Sequence, residues 1–247
     1  MKLNISAASY VGCVRENNED MILVSHCFVR NAKWGGKIDL EHCGRYMVAL
    51  ADGMGGHNGG EVASTDVLLN LDYFFNDMPV DLSVADFTEA IYEWLASINN
   101  ILDAKGHTDA RYYGMGTTLV AFVYYNGEFY WMNCGDSRIY RLHDKQLQQM
   151  STDHSLNTLT GSAEHTNVIT NCIGGGCKTS YVDLVTCTPD VCKGDKFLLC
   201  SDGLTDMLTN EQIQQLLNRG ADAKALCDAA IEEGGFDNVS ACVVKIV

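Results

Sequence analysis

Apolar residues recur at helical spacing in two stretches of the first half of the chain. In residues 61–75 and again in residues 84–105, they return every three or four positions and so lie on one face of a helix. Ser83 is a typical N-terminal cap and Gly106 a typical helix terminator. The pattern therefore predicts two amphipathic helices, the second bounded by these two residues.

A strand pattern follows the second helix. Residues 117–125 and 128–134 are rich in β-branched and aromatic side chains, and the Asn126-Gly127 pair between them is typical of a type I′ hairpin turn. Another strand-like segment, residues 137–143, comes directly afterwards. We therefore predict an antiparallel meander of three strands.

The last forty residues mix the two patterns. Thr209 and Gln212 form a capping-box sequence for a helix through Leu217, and Gly220 separates this helix from a second one. Residues 238–247 indicate a closing strand. Strands in blocks with helices between them favour an α+β domain, with two antiparallel sheets and helices outside them.

Length and composition favour one domain. The chain has 247 residues, of which 47% are hydrophobic, and its two prolines mark no linker, so we expect residues 1–247 to form a single domain. No apolar run is long enough for a signal peptide or a membrane span. Eleven cysteines in a chain without an export signal indicate reduced thiols. We expect a soluble, cytoplasmic monomer with no membrane contact.

The net charge of −15 bears on the partners. Seventeen basic residues are scattered along the chain, which argues against a nucleic-acid partner, because phosphate backbones require stripes of lysine and arginine. The acidity can serve solubility alone, or it can concentrate carboxylates that hold cations. The positions of the carboxylates decide between these alternatives.

Three apolar segments each lead to an aspartate beside a glycine. The pairs are Asp52-Gly53, Gly135-Asp136 and Asp202-Gly203. An unpaired carboxylate at the end of a buried strand costs several kcal/mol, so a cation should meet it, and glycine permits a sharp turn there. One such pair would favour an ordinary turn. Three of them, together with Glu19-Asp20 and Asp237, indicate a site for several metal ions.

The ligand chemistry narrows the choice of ion. Oxygen-only ligand sets suit Mg²⁺ or Mn²⁺, whereas zinc prefers histidine and cysteine. Two C-x4-C pairs, Cys172 with Cys177 and Cys187 with Cys192, keep a four-cysteine zinc site as a minor alternative. Two hard ions about 4 Å apart acidify a bridging water and neutralise a phosphoryl group, so the predicted reaction is phosphate ester hydrolysis.

Seven short motifs are distributed over essentially the whole chain. They are R-E-N-N-E-D from Arg15 to Asp20, D-G-M-G-G-H from Asp52 to His57, G-T-T from Gly116, G-D-S-R from Gly135, D-H-S from Asp153, S-D-G-L from Ser201 and D-N-V-S from Asp237. The ordered set resembles the type 2C, metal-dependent (PPM) protein phosphatases, and its D-G-M-G-G form resembles their bacterial members. Each motif alone is weak, but the set is specific.

The resemblance implies a four-layer αββα fold and a reaction. The fold would be a central β-sandwich of two antiparallel sheets flanked by α-helices. The reaction would be metal-dependent hydrolysis of phosphoserine and phosphothreonine in proteins by a metal-bridging water. The implied cofactors are two core Mn²⁺ or Mg²⁺ ions and a third, weaker ion. The implied partners are phosphorylated proteins, including a bacterial eukaryotic-type Ser/Thr kinase that the enzyme would oppose.

The resemblance also implies roles for individual residues. Asp52 would bridge two ions, Gly53 would offer its carbonyl to one of them, and Asp202 and Asp237 would complete the shell of the other. Arg15 would clamp the substrate phosphate with its planar guanidinium. The remaining metal ligands would be Glu19 and Asp20, largely through waters, and Asp136, which with Asp202 would hold the third ion.

Two departures from the family pattern matter. Met54 stands where many eukaryotic relatives have a histidine that protonates the leaving group, which leaves His57 and a water on the third ion as alternatives. The flap segment, about residues 153–171, is shorter than is usual in relatives and also contains His165. We expect a more open cleft, with His154 anchoring the base of the flap.

Other side chains near the motifs have simpler expected roles. We expect Arg138 and Thr117 to be structural, and Cys134, which precedes Gly135-Asp136, to be a candidate for redox sensitivity. Two further functions stay open. A non-catalytic phosphopeptide-binding relative would lack metal ligands, and a two-metal phosphodiesterase would prefer diesters.

Overall fold

The computed structural model describes residues 1–55, 59–161 and 168–247. Within these ranges the strands are β1 (Lys2–Tyr10), β2 (Asp20–Val24), β3 (Cys27–Val29), β4 (Ala32–Asp39), β5 (Arg45–Met54), β6 (Gly116–Thr117), β7 (Leu119–Tyr125), β8 (Glu128–Cys134), β9 (Arg138–His143), β10 (Gln146–Gln149), β11 (Ile173–Gly174), β12 (Asp183–Thr186), β13 (Lys196–Cys200) and β14 (Val239–Ile246). The helices are α1 (Gly59–Asp77), α2 (Val84–Thr108), α3 (Leu156–Thr160), α4 (Asp202–Thr205), α5 (Asn210–Asn218) and α6 (Ala223–Glu232).

The strands form two antiparallel sheets that pack face to face. One sheet has the order β10-β9-β13-β14-β1-β4, and the other has the order β11-β6-β5-β7-β8-β12, with β2 added to β5 and β3 added to β2. Between the sheets, the rings of Phe122 and Phe197 stack with their centroids 4.3 Å apart. Helices α1 and α2 cover the outer face of the larger sheet, and α5 and α6 cover the smaller one. The four-layer αββα prediction is confirmed.

Strand β5 shows why the apolar run before Asp52 is continuous. Met47, Ala49 and Ala51 belong to the apolar core under α1 and α2, whereas Val48 and Leu50 belong to the core between the sheets. A strand buried on both faces cannot alternate apolar with polar residues. The central position of β5 therefore carries its C-terminal residues into the interior.

The predicted hairpin is confirmed, but the predicted meander is wrong. Asn126 and Gly127 have φ angles of 49° and 88°, as a type I′ turn requires, and β7 pairs with β8. Strand β9, however, pairs with β10 and β13 in the other sheet. Gly135, with a φ angle of 118°, turns the chain between the sheets, so Asp136 lies where the chain crosses from one to the other.

Helix ends follow capping side chains more closely than glycines. The hydroxyl of Ser83 accepts a hydrogen bond from the Asp86 amide, and the capping box of Thr209 is present, as predicted. The prediction that Gly106 ends α2 is wrong, because the helix continues to Thr108. A Cβ on Gly106 would lie 2.9 Å from the Tyr112 carbonyl oxygen, so this glycine serves a close backbone approach.

In the part of the chain that the structure describes, no helix combines the length and the apolarity needed to cross a bilayer.

Candidate metal centre

The predicted site residues meet at one edge of the sandwich. A cleft of about 400 Å³ opens there, and seven of the eight residues line it: Arg15, Glu19, Asp52, Gly53, Asp136, Asp202 and Asp237. The eighth, Asp20, is completely buried and stands opposite Asp52 in the β2–β5 ladder. Segments up to 222 residues apart in sequence thus bring their carboxylates to one place.

The backbone of Asp52 is held by two threonines of the G-T-T motif. The Asp52 carbonyl oxygen accepts hydrogen bonds from the Thr117 hydroxyl and the Thr118 amide, both at 2.8 Å. The Asp52 amide donates to the Thr118 hydroxyl at 3.0 Å. These bonds fix the strand on which the carboxylate is mounted, and they give Thr117 the structural role expected of it.

Gly53 lies where β5 meets the first turn of α1. A Cβ on this residue would come within 2.0 Å of the Gly60 carbonyl oxygen, and a Cβ on Gly60 would come within 2.7 Å of the Glu19 carboxyl carbon. Strand β5 continues through Asp52 to Met54, so the expected sharp turn is absent here. Glycine at this position allows two backbones and a carboxylate to pack together.

One carboxylate oxygen of Asp20 accepts a hydrogen bond, and the other is available to a cation. Its Oδ2 accepts a hydrogen bond from the Ser201 hydroxyl at 2.7 Å. Its Oδ1 is buried and has no hydrogen-bond partner among the residues that the structure describes. Because a buried acceptor without a partner is costly, a cation at this position fits the donor set.

Burial and mutual repulsion disfavour the ionised form of the carboxylates in the cleft. Burial raises the pKa of Asp202 to about 8, with repulsion from Asp136 and Asp237 adding to the shift. Burial also raises the pKa of Asp136 and of Asp20 to about 6, and the pKa of Asp52 well above its ordinary value. Divalent cations reverse this situation, since they favour the deprotonated form. All of the donors are oxygens, which suits Mg²⁺ or Mn²⁺.

Arg15 supplies a positive charge at the mouth of the cleft. Its Nη2 donates to Asp237 Oδ2 at 2.7 Å, and this bond raises the pKa of the guanidinium. The side-chain Nδ2 of Asn238 donates to the carbonyls of Val11 and Asn17 at 3.0 and 2.9 Å, and its Oδ1 accepts from the backbone amide of Glu19. Asn238 therefore ties the loop that carries Arg15 to the start of β14.

Arg30 is a supporting residue that the sequence did not indicate. Its guanidinium donates to the Asp20 carbonyl at 2.8 Å and to the Ser64 hydroxyl at 2.8 Å, and it pairs with Glu61 at 3.2 Å. The Ser64 hydroxyl in turn donates to the Glu19 carbonyl. Arg30 belongs to no motif, so the sequence does not indicate its role. Only folding brings it to the Glu19-Asp20 backbone.

His154 holds the base of the flap, as expected. Its Nδ1 accepts from the Gly135 amide at 3.1 Å, so the proton lies on Nε2, which faces Asp183 at 3.1 Å. The His154 carbonyl accepts from the Thr170 amide at 2.8 Å. The two ends of the flap are thereby fastened beside Asp136. Arg138 is also structural, and it pairs with Asp153 at 2.6 Å.

The structure bears on two hypotheses from the sequence, the identity of the general acid and the four-cysteine zinc site. Met54 lines the cleft, while His57 and His165 lie outside the described residues. Within the described ranges, one group of three His, Cys, Asp or Glu side chains has ligand atoms that all lie within 4.8 Å of one another. The group consists of His143, Cys192 and Asp195. Cys172 and Cys177 line the cleft, whereas Cys187 lies in the core between the sheets, so the two cysteine pairs do not form a four-cysteine zinc site. Arg141 already neutralises Asp195.

Comparison with known proteins gives a consistent family. The sequence profile of protein phosphatase 2C matches residues 38–230. Protein phosphatase PhpP of Streptococcus pneumoniae is 31% identical over 262 residues, covering 99% of this chain and 98% of PhpP. Serine/threonine protein phosphatase PstP of Mycobacterium tuberculosis is 30% identical over 255 residues, and the match spans 99% of this chain but only 45% of PstP.

Solved structures agree with the sequence matches. A serine/threonine phosphatase of Streptococcus agalactiae superposes with a TM-score of 0.82 at 26% identity, covering 99% of this chain and 100% of that one. The catalytic domain of PstP in complex with two manganese ions superposes with a TM-score of 0.75 at 30% identity and covers both chains fully.

Proposed function

Since the chain belongs to the protein phosphatase 2C family, we propose that it hydrolyses phosphoserine and phosphothreonine in other proteins with Mn²⁺ or Mg²⁺ as cofactor. One observation carries the proposal: the carboxylates of five separate segments converge on one cleft without enough positive charge to balance them. The PstP catalytic domain with two manganese ions supports the choice of cofactor.

The residues divide into those that hold ions and those that hold substrate. In this proposal Asp52 would serve both core ions, and Asp202 and Asp237 would hold one of them. The Gly53 carbonyl oxygen, Glu19 and Asp20 would serve the second ion, and Asp136, with Asp202, would hold a third. When bound, the ions supply two effects, a lowered pKa for a coordinated water and neutralisation of the phosphoryl oxygens.

Arg15 would take the substrate phosphate. Its side chain is 55% exposed at the mouth of the cleft, and its guanidinium is already oriented by Asp237. The planar fork of arginine matches two phosphate oxygens at once, which the single ammonium of lysine does not. The charge and position of Arg15 therefore suit the substrate better than a structural role.

The cellular setting is part of the same proposal. All eleven cysteines are free thiols, which suits the reducing cytoplasm. We propose a cytoplasmic monomer that acts on phosphorylated proteins, among them a eukaryotic-type Ser/Thr kinase, and not on nucleic acid. Phosphoproteomics after deletion of the gene would identify the substrates, and light scattering would test the monomer.

A phosphothreonine peptide tests the activity. With Mn²⁺ the protein should release phosphate, and Asp202→Asn or Asp237→Asn should lower turnover by roughly 100-fold or more while the fold persists by circular dichroism. Asp144→Asn is the control, because Asp144 is 89% exposed and does not line the cleft. Unchanged turnover in both cleft variants, or a preference for bis-p-nitrophenyl phosphate over the monoester, would overturn the proposal.

A further inference from the structure

Two cysteines lie side by side in the wall of the metal cleft. The Sγ atoms of Cys172 and Cys177 are 3.4 Å apart, and both residues line the cleft that contains Asp136 and Asp202. A disulfide needs an S–S distance of about 2.05 Å, so only a small movement separates the two thiols from a bond. We call these two residues the cleft dithiol.

The chain between the two cysteines can make that movement. Gly174, Gly175 and Gly176 have φ angles of 76°, 60° and 79°, a region that other residues rarely adopt. A Cβ on Gly175 would lie 2.7 Å from the Cys172 sulfur, so glycine leaves the space in which the thiols meet. Nothing lies within 4 Å of the Cβ position of Gly176. Glycine therefore leaves the room for Cys177 to close on Cys172, while hydrogen bonds from Asn99 to the Cys177 carbonyl and from the Cys177 amide to the Gly174 carbonyl hold the ends of the loop.

We propose that the cleft dithiol is a site of reversible oxidation, at which a peroxide converts Cys172 and Cys177 into a disulfide that reshapes the cleft wall. The thiolate of Cys177 attacks a peroxide oxygen, which leaves a sulfenic acid on Cys177 and releases water. The Cys172 sulfur then attacks the Cys177 sulfur, its thiol proton passes to the sulfenic oxygen, and that oxygen leaves as a second water. Both sulfurs are oxidised, the two peroxide oxygens are reduced, and the two thiol protons leave in the water.

The order of attack follows from exposure. Cys177 is half-buried and can meet a peroxide, whereas Cys172 is only 4% exposed. Burial raises the pKa of the Cys172 thiol to about 12, which disfavours Cys172 as the group that attacks peroxide first. Cys134 is completely buried, and burial raises the pKa of its thiol too, so it is less accessible to oxidants than Cys177.

The disulfide would act on substrate access. Gly175, Met54 and Cys177 line the same wall of the cleft, and the Gly175 amide is bound to the Met115 carbonyl at 2.8 Å. Drawing Cys177 toward Cys172 moves this wall of the cleft. A displacement of about 1 Å at a substrate-positioning surface can lower turnover on the order of tenfold or more. This effect on turnover rests on the proposed function, but formation of the disulfide does not.

Mass spectrometry of the oxidised protein tests the proposal. The protein is treated with hydrogen peroxide in Mg²⁺, which has no redox chemistry, followed by catalase, and free thiols are alkylated before digestion. A peptide containing both cysteines should have lost two hydrogen atoms and escaped alkylation, and dithiothreitol should restore both thiols. Alkylation of Cys172 and Cys177 after peroxide, or a disulfide between other cysteines, would overturn the assignment.

Activity after the same treatment tests the consequence. Phosphopeptide turnover should fall about tenfold and recover with dithiothreitol. In Cys177→Ser the ratio of oxidised to reduced activity should stay near one, and in the control Cys27→Ser, an exposed cysteine outside the cleft, it should match the unaltered protein. Equal peroxide sensitivity in Cys177→Ser would refute the effect on turnover. A protein without phosphatase activity would refute the proposed function and leave the disulfide measurement valid.

Discussion

The pairing of Arg15 with Asp237 places a cation against the group that should coordinate a metal. The 2.7 Å contact joins the loop before β2 to the residues before β14, so the guanidinium already stands where a phosphate would arrive. Once Asp237 turns to an ion, Arg15 can exchange one anionic partner for another. Its exposure shows that the exchange requires no rearrangement of the core.

Removal of the guanidinium should therefore weaken substrate binding. Hydrogen bonds to charged groups contribute about 1.5–3 kcal/mol, so Arg15→Ala should raise KM for a phosphopeptide by roughly tenfold or more. Arg15→Lys should restore only part of the loss, because a point charge cannot bind two oxygens in the same plane. Steady-state kinetics checks both variants. Arg111→Ala is the matched control, since Arg111 is exposed and pairs with Asp109 away from the cleft.

At the scale of elements, the contact between β5 and α1 sets the position of the cleft. Gly53→Ala would place a methyl group 2.0 Å from the Gly60 carbonyl oxygen, so strand and helix must separate. Overpacking of this kind costs about 1–3 kcal/mol, which corresponds to a fall in Tm of roughly 2–12 °C for a chain of this size. Manganese affinity should fall with it, because Glu19 packs at the same point.

Thermal melting and manganese titration would measure both effects. Gly35→Ala is the matched control, since the nearest atom to its Cβ position is 3.8 Å away. If Gly53→Ala melted at the same temperature as Gly35→Ala, the close packing described here would be wrong.

Locally determined elements were predictable, and pairings between distant strands were not. The Asn126-Gly127 turn and the Thr209 capping box depend on neighbouring residues, and both were predicted correctly. Strand β9 was assigned to the wrong sheet, because nothing in residues 138–143 shows which partner lies beside them. Strand β4 was missed because its Gly35-Gly36 pair weakens the strand pattern, and pairing with β1 supplies the stability.

At the scale of the whole molecule, the acidic cluster makes stability depend on pH and metal. In the metal-free protein the raised pKa of Asp202 means that the folded state binds more protons than the unfolded state between about pH 4 and about pH 8. The free energy of unfolding should therefore fall as the pH rises through that window. Added Mn²⁺ should stabilise the protein most at the upper end, where the carboxylates are deprotonated.

Urea denaturation of EDTA-treated protein across this window measures the dependence. Asp202→Asn should flatten the fall between about pH 6 and about pH 8, since an amide does not titrate there. A free energy of unfolding that rose with pH over the same range, and was unaffected by Asp202→Asn, would show that the carboxylate does not carry a raised pKa.

The composition of the candidate site could be predicted from sequence, but its support could not. The aspartates beside glycines could be predicted because burying an unpaired carboxylate at the end of an apolar run costs free energy, which is unusual in a folded chain. The Arg30 side chain donates to the Asp20 carbonyl, and the Asn238 side chain accepts from the Glu19 amide and donates to the loop that carries Arg15. Such contacts have no period or spacing, so only the three-dimensional structure identifies them.

Anomalous diffraction at the manganese absorption edge, from crystals grown in Mn²⁺, measures the convergence of the carboxylates most directly. We expect two strong peaks in the cleft, with Asp52 in contact with both ions and Asp202 and Asp237 bound to one of them. A cleft without manganese at saturating concentration, or ions bound elsewhere while these three aspartates contact none, would contradict this expectation.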